Sequence, residues 1–282
     1  MPNLRGLQLL EILDAHGPLT ITEVARLTGQ DKSWVSRIVS SCEPDGWIVR
    51  EHGRIALGPR SALLAHGSSA GELIRRAQPL VEALAGVTGL TAQAYGLVGR
   101  HATVLAAAGG GMPMSSVGVG MATSLVGTAA GQVIAAQLER QRLERLLPPE
   151  PYPDPLAELL TNPGYVAFAS GRFAPVKVSE NRRSPVPSTR EQLDEVLAEV
   201  GRNGMAVDHG ELHPQIACVA VPWPASGDVA ALACMGSPAE ITESAALARS
   251  VLDTAAAPGA TREDIVSSAA FAARGREYSV AP

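Results

Sequence analysis

Cysteine is scarce in this chain: 282 residues hold three, Cys42, Cys218 and Cys234. An odd number of widely spaced thiols builds neither a disulfide framework nor a four-ligand zinc site, and fits reduced thiols in a core. Long apolar runs are also missing, each being broken by Gly, Ser or a charge well short of the roughly 18 residues that a membrane span needs. The first residues, with Asn3, Arg5 and Gln8 spaced as on a helix, lack the pattern of a secretion signal, so a cytoplasmic location is expected. There is no Walker loop, G-x-S-x-G elbow or Cys-x-x-Cys pair, and hence no catalytic or cofactor motif to build on. A basic excess is absent too. Net charge is −5, yet residues 1–67 carry seven Arg/Lys against seven Asp/Glu, so the acidic surplus lies wholly in residues 68–282. A neutral head with Lys32, Arg37, Arg50 and Arg54 gathered on one side permits phosphate binding without predicting it.

What is present begins with residues 20–42, read as two short helices joined by a tight turn. Thr20 is placed to cap the first, whose stripe is Ile21, Val24, Ala25 and Leu27; Gly29 stops it and Asp31 caps the next. In the second helix Val35, Ile38, Val39 and Cys42 recur at i, i+3, i+4, i+7, the spacing of one buried face. Ser33, Ser36, Arg37 and Ser40 repeat that spacing on the opposite side. A face of short polar groups and an arginine suits the major groove of DNA, while an ordinary amphipathic helix would show the same pattern. Residues 47–50 and 54–57 then alternate as two strands about a Glu51-His52-Gly53 turn. Helix, helix–turn–helix and hairpin is the winged-helix order.

Residues 6–60, from Gly6 through the Gly17-Pro18-Leu19-Thr20 approach and the Lys32-Ser33 helix start to Leu57-Gly58-Pro59-Arg60, resemble the IclR family of bacterial transcription regulators. Trp34 stands where that family prefers a small hydroxylated residue, and Pro44 should end the second helix early. The resemblance implies DNA contacts from Lys32, Ser33, Trp34, Ser36, Arg37, Ser40 and, on the wing, Arg54. The residues themselves leave open whether Trp34 packs inward and whether Arg37 meets a base edge or a phosphate.

Further along, a first helix is expected over residues 4–16, and a helical linker over 61–86, interrupted near Gly67-Ser68-Ser69 and again at Pro79. Strands are expected at 91–97 and 103–107, a helix at 132–147, a strand at 166–168, and an exposed loop at 182–187. A helix at 191–203, strands at 205–207, 216–222 and 229–235, and a helix at 242–255 complete an α+β fold with helices over a mostly antiparallel sheet. The organisation expected is a winged helix-turn-helix in 1–60, linker in 61–86, second domain in 87–257, and an extension, starting a helix at Thr261, in 258–282.

The second domain is similar, more loosely, to the GAF-like effector domain of the IclR family. The resemblance rests on Gly127-Thr128-Ala129-Ala130-Gly131, on Gly204-Met205-Ala206-Val207-Asp208 ten residues before Cys218, and on Val219-Ala220-Val221-Pro222. It implies an effector pocket lined by Ala129, Ala130, Asp208, Cys218, Cys234 and Met235. A helix start at Ala129 and Ala130 offers backbone N–H groups to a carboxylate. Ala233 and Met235 replace serines common in the family, which favours an aromatic or partly apolar acid. His209 and His213 have the i, i+4 spacing of a helical metal pair, but strands flank them and Pro214 follows, so no metal is expected. The expectation is therefore a ligand-responsive regulator, a homodimer or homotetramer on double-stranded operator DNA, repressing a nearby catabolic operon, with no membrane contact. Two alternatives are a constitutive DNA-binding protein whose second domain only oligomerises, and an enzyme using Asp208, His209 and Cys218.

Overall fold

A computed structural model describes residues 2–66, 69–109, 118–155, 186–213, 216–224 and 228–268. The chain divides into two compact units, Met1–Glu72 and Leu73–Pro282.

The first unit contains α1 (Pro2–His16), α2 (Ile21–Thr28), α3 (Lys32–Cys42), β1 (Ile48–Glu51), β2 (Arg54–Leu57) and α4 (Pro59–His66). Local chemistry sets its helix ends. Thr20 and Glu23 form a reciprocal capping box on α2, and Gly29, at φ 65°, closes that helix in the left-handed region. Asp31 accepts the Trp34 amide to cap α3, which ends at Cys42, two residues before Pro44. Val24, Val35 and Val39 are fully buried with Leu9 and Ile48, so the i, i+3, i+4 stripe read from the sequence is the one that packs. His52 and Gly53 both take positive φ, 51° and 76°, which gives the two-residue hairpin turn the twist its strands need. Leu19 adds a bridge to this hairpin, its N–H donating to the Ile55 carbonyl at 2.9 Å.

The expected linker reads differently. Residues 67–68 lie outside those described, and Pro79 does not interrupt α5 (Ser69–Thr88), which runs continuously through it. An internal proline costs a helix about 3 kcal/mol, but Leu73, Ala77, Leu80, Val81 and Leu84 are all buried in the core of the second unit. Burial of that stripe outweighs the lost hydrogen bond.

The second unit is built on a six-stranded antiparallel sheet in the order β5-β4-β3-β8-β7-β6. Its strands are β3 (Thr91–Val98), β4 (His101–Ala108), β5 (Ala122–Thr123), β6 (Ala206–His213), β7 (Ile216–Pro222) and β8 (Ala230–Gly236). Two helices, α6 (Ala129–Ala136) and α7 (Arg140–Leu146), occupy the region expected as one helix over 132–147. Thr128 caps α6, which opens at Ala129, the start that the family resemblance implies and three residues before the 132 read from the residues themselves. Gln137 ends it by donating through Nε2 to the carbonyls of Val133 at 3.0 Å and Ala230 at 2.9 Å. Next come α8 (Arg190–Asn203), capped by Thr189, and α9 (Pro238–Ala256), which a Ser237–Glu240 capping box starts four residues before the expected 242.

Both faces of the sheet are covered. Helices α5 and α9 pack on one face, over Ala92, Ala94, Val219, Leu232 and Cys234. Helices α6 and α8 cover the other, over Tyr95, Cys218, Ala233 and Met235. A short helix over 262–268 follows, and its fully buried Ile265 joins the core beneath α9. The strand expected at 166–168 and most of the 182–187 loop lie outside the described residues.

The start of α6 depends on one close approach. A Cβ on Gly131 would meet the carbonyl oxygen of Ser124 and come within 2.9 Å of the Leu125 Cα, both backbone atoms that cannot swing away. Gly131→Ala is expected to destabilise the fold by about 1–3 kcal/mol, read as a lower urea midpoint at unchanged slope. An unchanged midpoint would contradict this packing.

Candidate DNA-binding face and ligand site

On α3, Lys32, Ser33, Arg37 and Ser40 are exposed and Ser36 is half-buried. Trp34 is half-buried and packs against the core of the head with Ile38 and Cys42, so it belongs to the packed side of the helix. The Ser33 hydroxyl donates to the Asp31 carboxylate. That bond, then the Trp34 amide, holds the Asp31 carboxyl below its ordinary range. Lys32 and Arg37 take part in none of the ion pairs among the described residues.

The arginines around the wing behave otherwise. Arg54 donates to the Pro18 carbonyl at 3.0 Å and reaches Glu23 at 3.4 Å. Glu23 also accepts the Thr20 amide at 2.7 Å and hydroxyl at 2.8 Å, and these two bonds, ahead of Arg54, lower its pKa. Arg54 thus fastens the wing to the start of α2. Arg50 pairs with Glu43 at 3.0 Å, and Arg60 lies 4.8 Å from the centroid of the Trp47 ring. These contacts leave Lys32 and Arg37 as the cations on the polar side of α3.

In the second unit the strand register sets the proposed pocket residues side by side. Asp208 of β6 is paired with Cys218 of β7, Cys218 with Met235 of β8, and Met235 with Thr91 of β3. All four are on the face beneath α6, whose main partner among the strands is β7. Ala129 and Ala130, each 2% exposed, open that helix. The Thr128 hydroxyl receives the Gly131 amide at 3.0 Å, so capping uses the third amide of the helix and not those of Ala129 and Ala130. Asp208 accepts the Gly210 N–H at 2.8 Å. Burial first, then Asp208, pushes the Cys218 thiol well above its usual range; burial first, then Cys218, does the same to the Tyr95 phenol.

Cys234 does not belong to this row. It lies in the core under α5 and α9, on the other side of the sheet. Alternation requires this: if Ala233 and Met235 point to one face, Cys234 points to the other. Burial raises its thiol to about 12, and the Thr88 hydroxyl beside it lowers it only partly. Conversely, Thr91, Gln93 and Tyr95 share the face of Met235 and Cys218, and their period of two along β3 is the signal that places them there. His209 and His213 fall on a strand, where they share no helical turn, and the described residues hold no group of three or more potential metal ligands. An open hollow along α8, lined by Glu150, Arg190, Glu191 and Asp194, shares no residue with the row.

A winged helix-turn-helix followed by an α+β domain is the build of a DNA-binding transcription regulator. Residues 4–54 match the family model of the MarR family, and residues 182–259 match that of the bacterial transcriptional regulator IclR C-terminal domain. The fold recurs in an IclR homolog from Microbacterium hydrocarbonoxydans solved with 4-hydroxybenzoate, at 20% identity and TM-score 0.65, covering 95% of this chain and 98% of that one. It recurs in an IclR transcriptional regulator from Alicyclobacillus acidocaldarius, at 20% identity and TM-score 0.61, covering 95% and 99%. The Thermotoga maritima IclR shares it at 19% identity and TM-score 0.56, covering 92% and 96%. No curated protein matches the chain by sequence. The two domain matches fall in this order on one chain, and the shared fold spans both. Among the described residues no helix is long and apolar enough to cross a membrane.

The raised thiols have a measurable consequence. A cysteine in the unfolded chain ionises near pH 8.5, whereas Cys218 and Cys234 in the fold ionise much later. Their contribution to stability is complete below about pH 8.5 and is lost as pH rises toward the folded values. The free energy of unfolding should fall from about pH 9 upward, less steeply in the Cys218→Ala/Cys234→Ala double variant. Identical slopes in the two proteins would show that the thiols are not held neutral by burial.

Proposed function

We propose that this chain is a ligand-responsive transcription regulator of IclR type that represses a neighbouring catabolic operon and binds its operator as a homodimer or homotetramer. The observation that carries the DNA half is α3. A well-packed helix presents Lys32, Ser33, Ser36, Arg37 and Ser40 on one side, and its two cations are not spent on carboxylates as Arg50 and Arg54 are. Arg54 acts by positioning the wing and Trp34 by packing; neither is assigned a base contact. On α4, Leu63 and Leu64 are 69% and 63% exposed, an apolar pair that a second copy would cover.

For the effector half, the amides of Ala129 and Ala130 receive a carboxylate, and Met235, Cys218 and Ala233 line the body of the ligand. The Asp208 carboxylate, tied to the Gly210 amide, sits at the rim or accepts a ligand hydroxyl. An aromatic acid suits this lining, and the homolog carrying 4-hydroxybenzoate supports that class. Ligand control follows only if the acid binds the DNA-competent and incompetent states unequally. The enzyme alternative gains nothing from the site: His209 is exposed, whereas Cys218 is buried with its thiol held neutral.

The DNA face is tested by Arg37→Ala against DNA flanking the protein's own gene. Loss of about 1–3 kcal/mol on one sequence is expected if Arg37 reads a base. A uniform loss, with the log–log salt slope reduced by about one, is expected if it holds a phosphate. Unchanged affinity in a folded variant would remove α3 from the interface.

A further inference from the structure

We infer that Thr91 is a specificity-determining residue of the ligand site, hydrogen-bonding a hydroxyl on the aromatic body of the acid, away from its carboxylate. The inference rests on the reading of this sheet face as an acid-binding pocket. It starts from an orphan. Three of the other buried polar side chains on the sheet have partners: Gln93 accepts the Tyr95 hydroxyl at 2.7 Å, Thr123 donates to the Ala102 carbonyl at 3.0 Å, and Asp208 accepts the Gly210 amide at 2.8 Å. Thr91 is 3% exposed, and its Oγ1 is buried with no hydrogen-bond partner. A buried hydroxyl left unpaired is costly, and valine would fill the same space without that cost. The β-branch alone therefore does not account for a threonine here.

Its position supplies the occupant. Thr91 is the cross-strand partner of Met235, which is in turn the partner of Cys218, on the strand that α6 covers most fully. Alternation along β3 puts Thr91 on the same face as Gln93 and Tyr95. From Thr91 to β7 is two strand spacings, roughly 9–10 Å. That distance accommodates a ring with a carboxylate toward the α6 start and a hydroxyl toward Thr91. The thioether of Met235 lies between them against the ring. A threonine hydroxyl both donates and accepts, so it pairs with a phenol in either sense. Gln93, already engaged by Tyr95, is less available for the task, and no other buried side-chain oxygen among the described residues lacks a partner.

The test uses the full chain, with benzoate and its 2-, 3- and 4-hydroxy derivatives titrated by calorimetry into the wild type, Thr91→Val and Thr91→Ser. The wild type should bind at least one hydroxybenzoate about 5- to 10-fold more tightly than benzoate, as one added hydrogen bond allows. Thr91→Val should bring that ratio to about one while leaving benzoate affinity within about twofold, and Thr91→Ser should keep the preference. If Thr91→Val fails to fold, Thr91→Ala gives the same ratio readout. A preference that survives loss of the hydroxyl, or no preference in the wild type, overturns the role of Thr91 and leaves the acid pocket standing. Failure of every acid in the series to bind overturns the pocket reading and this inference with it.

Discussion

The second unit depends on a sheet that is buried on both sides. With α5 and α9 on one face and α6 and α8 on the other, successive side chains in a strand enter different cores. Residues one apart are therefore chemically unrelated, and residues two apart are neighbours. This separates Cys218 from Cys234, although both are buried thiols, and gathers Thr91, Met235, Cys218 and Asp208 into one row across four strands. A slip of one residue in β3, β7 or β6 would send Thr91, Cys218 or Asp208 into the opposite core. The many alanines serve the same constraint. Ala92 and Ala94 on one face and Ala220, Ala231 and Ala233 on the other leave room for helices to lie close to the backbone on both sides.

Much of the head was legible because its determinants are local. Thr20, Gly29 and Asp31 mark helix ends by chemistry confined to three or four residues, and the Val35–Val39 stripe needs only periodicity. Arg50 and Arg54 were less legible. Their partners, Glu43 and Glu23, are 7 and 31 residues away, and a count of basic residues cannot show that such charges are already spent. In the second unit the strand positions were readable from apolar runs, but the C-terminal end of α6 was not. Gln137 closes that helix by reaching a carbonyl 93 residues further along the chain. Pro79 shows propensity overruled by burial, since the signal for a break was correct locally and lost to a stripe of buried residues on either side.

The candidate pocket was half legible. Thr128, Ala129 and Ala130 open a helix as the family resemblance implies, and Asp208, Cys218 and Met235 share a face. Cys234 was misplaced for a reason the sequence itself contains: placing Ala233, Cys234 and Met235 together ignores the alternation of the strand that carries them. The buried Thr91 hydroxyl is set apart by what it does not bond, which no pattern of residue types reveals.

A regulator differs from a constitutive DNA-binding protein by a coupling free energy between two sites, and that energy is reciprocal. The central claim is therefore tested most directly by the dissociation constant of the full chain for operator DNA from the flank of its own gene, at fixed salt. It is measured without and with a saturating acid that binds the second unit. The account predicts a change of about 5- to 150-fold, the usual range of such coupling. An acid that binds the second unit at saturation and leaves the operator dissociation constant unchanged would contradict it.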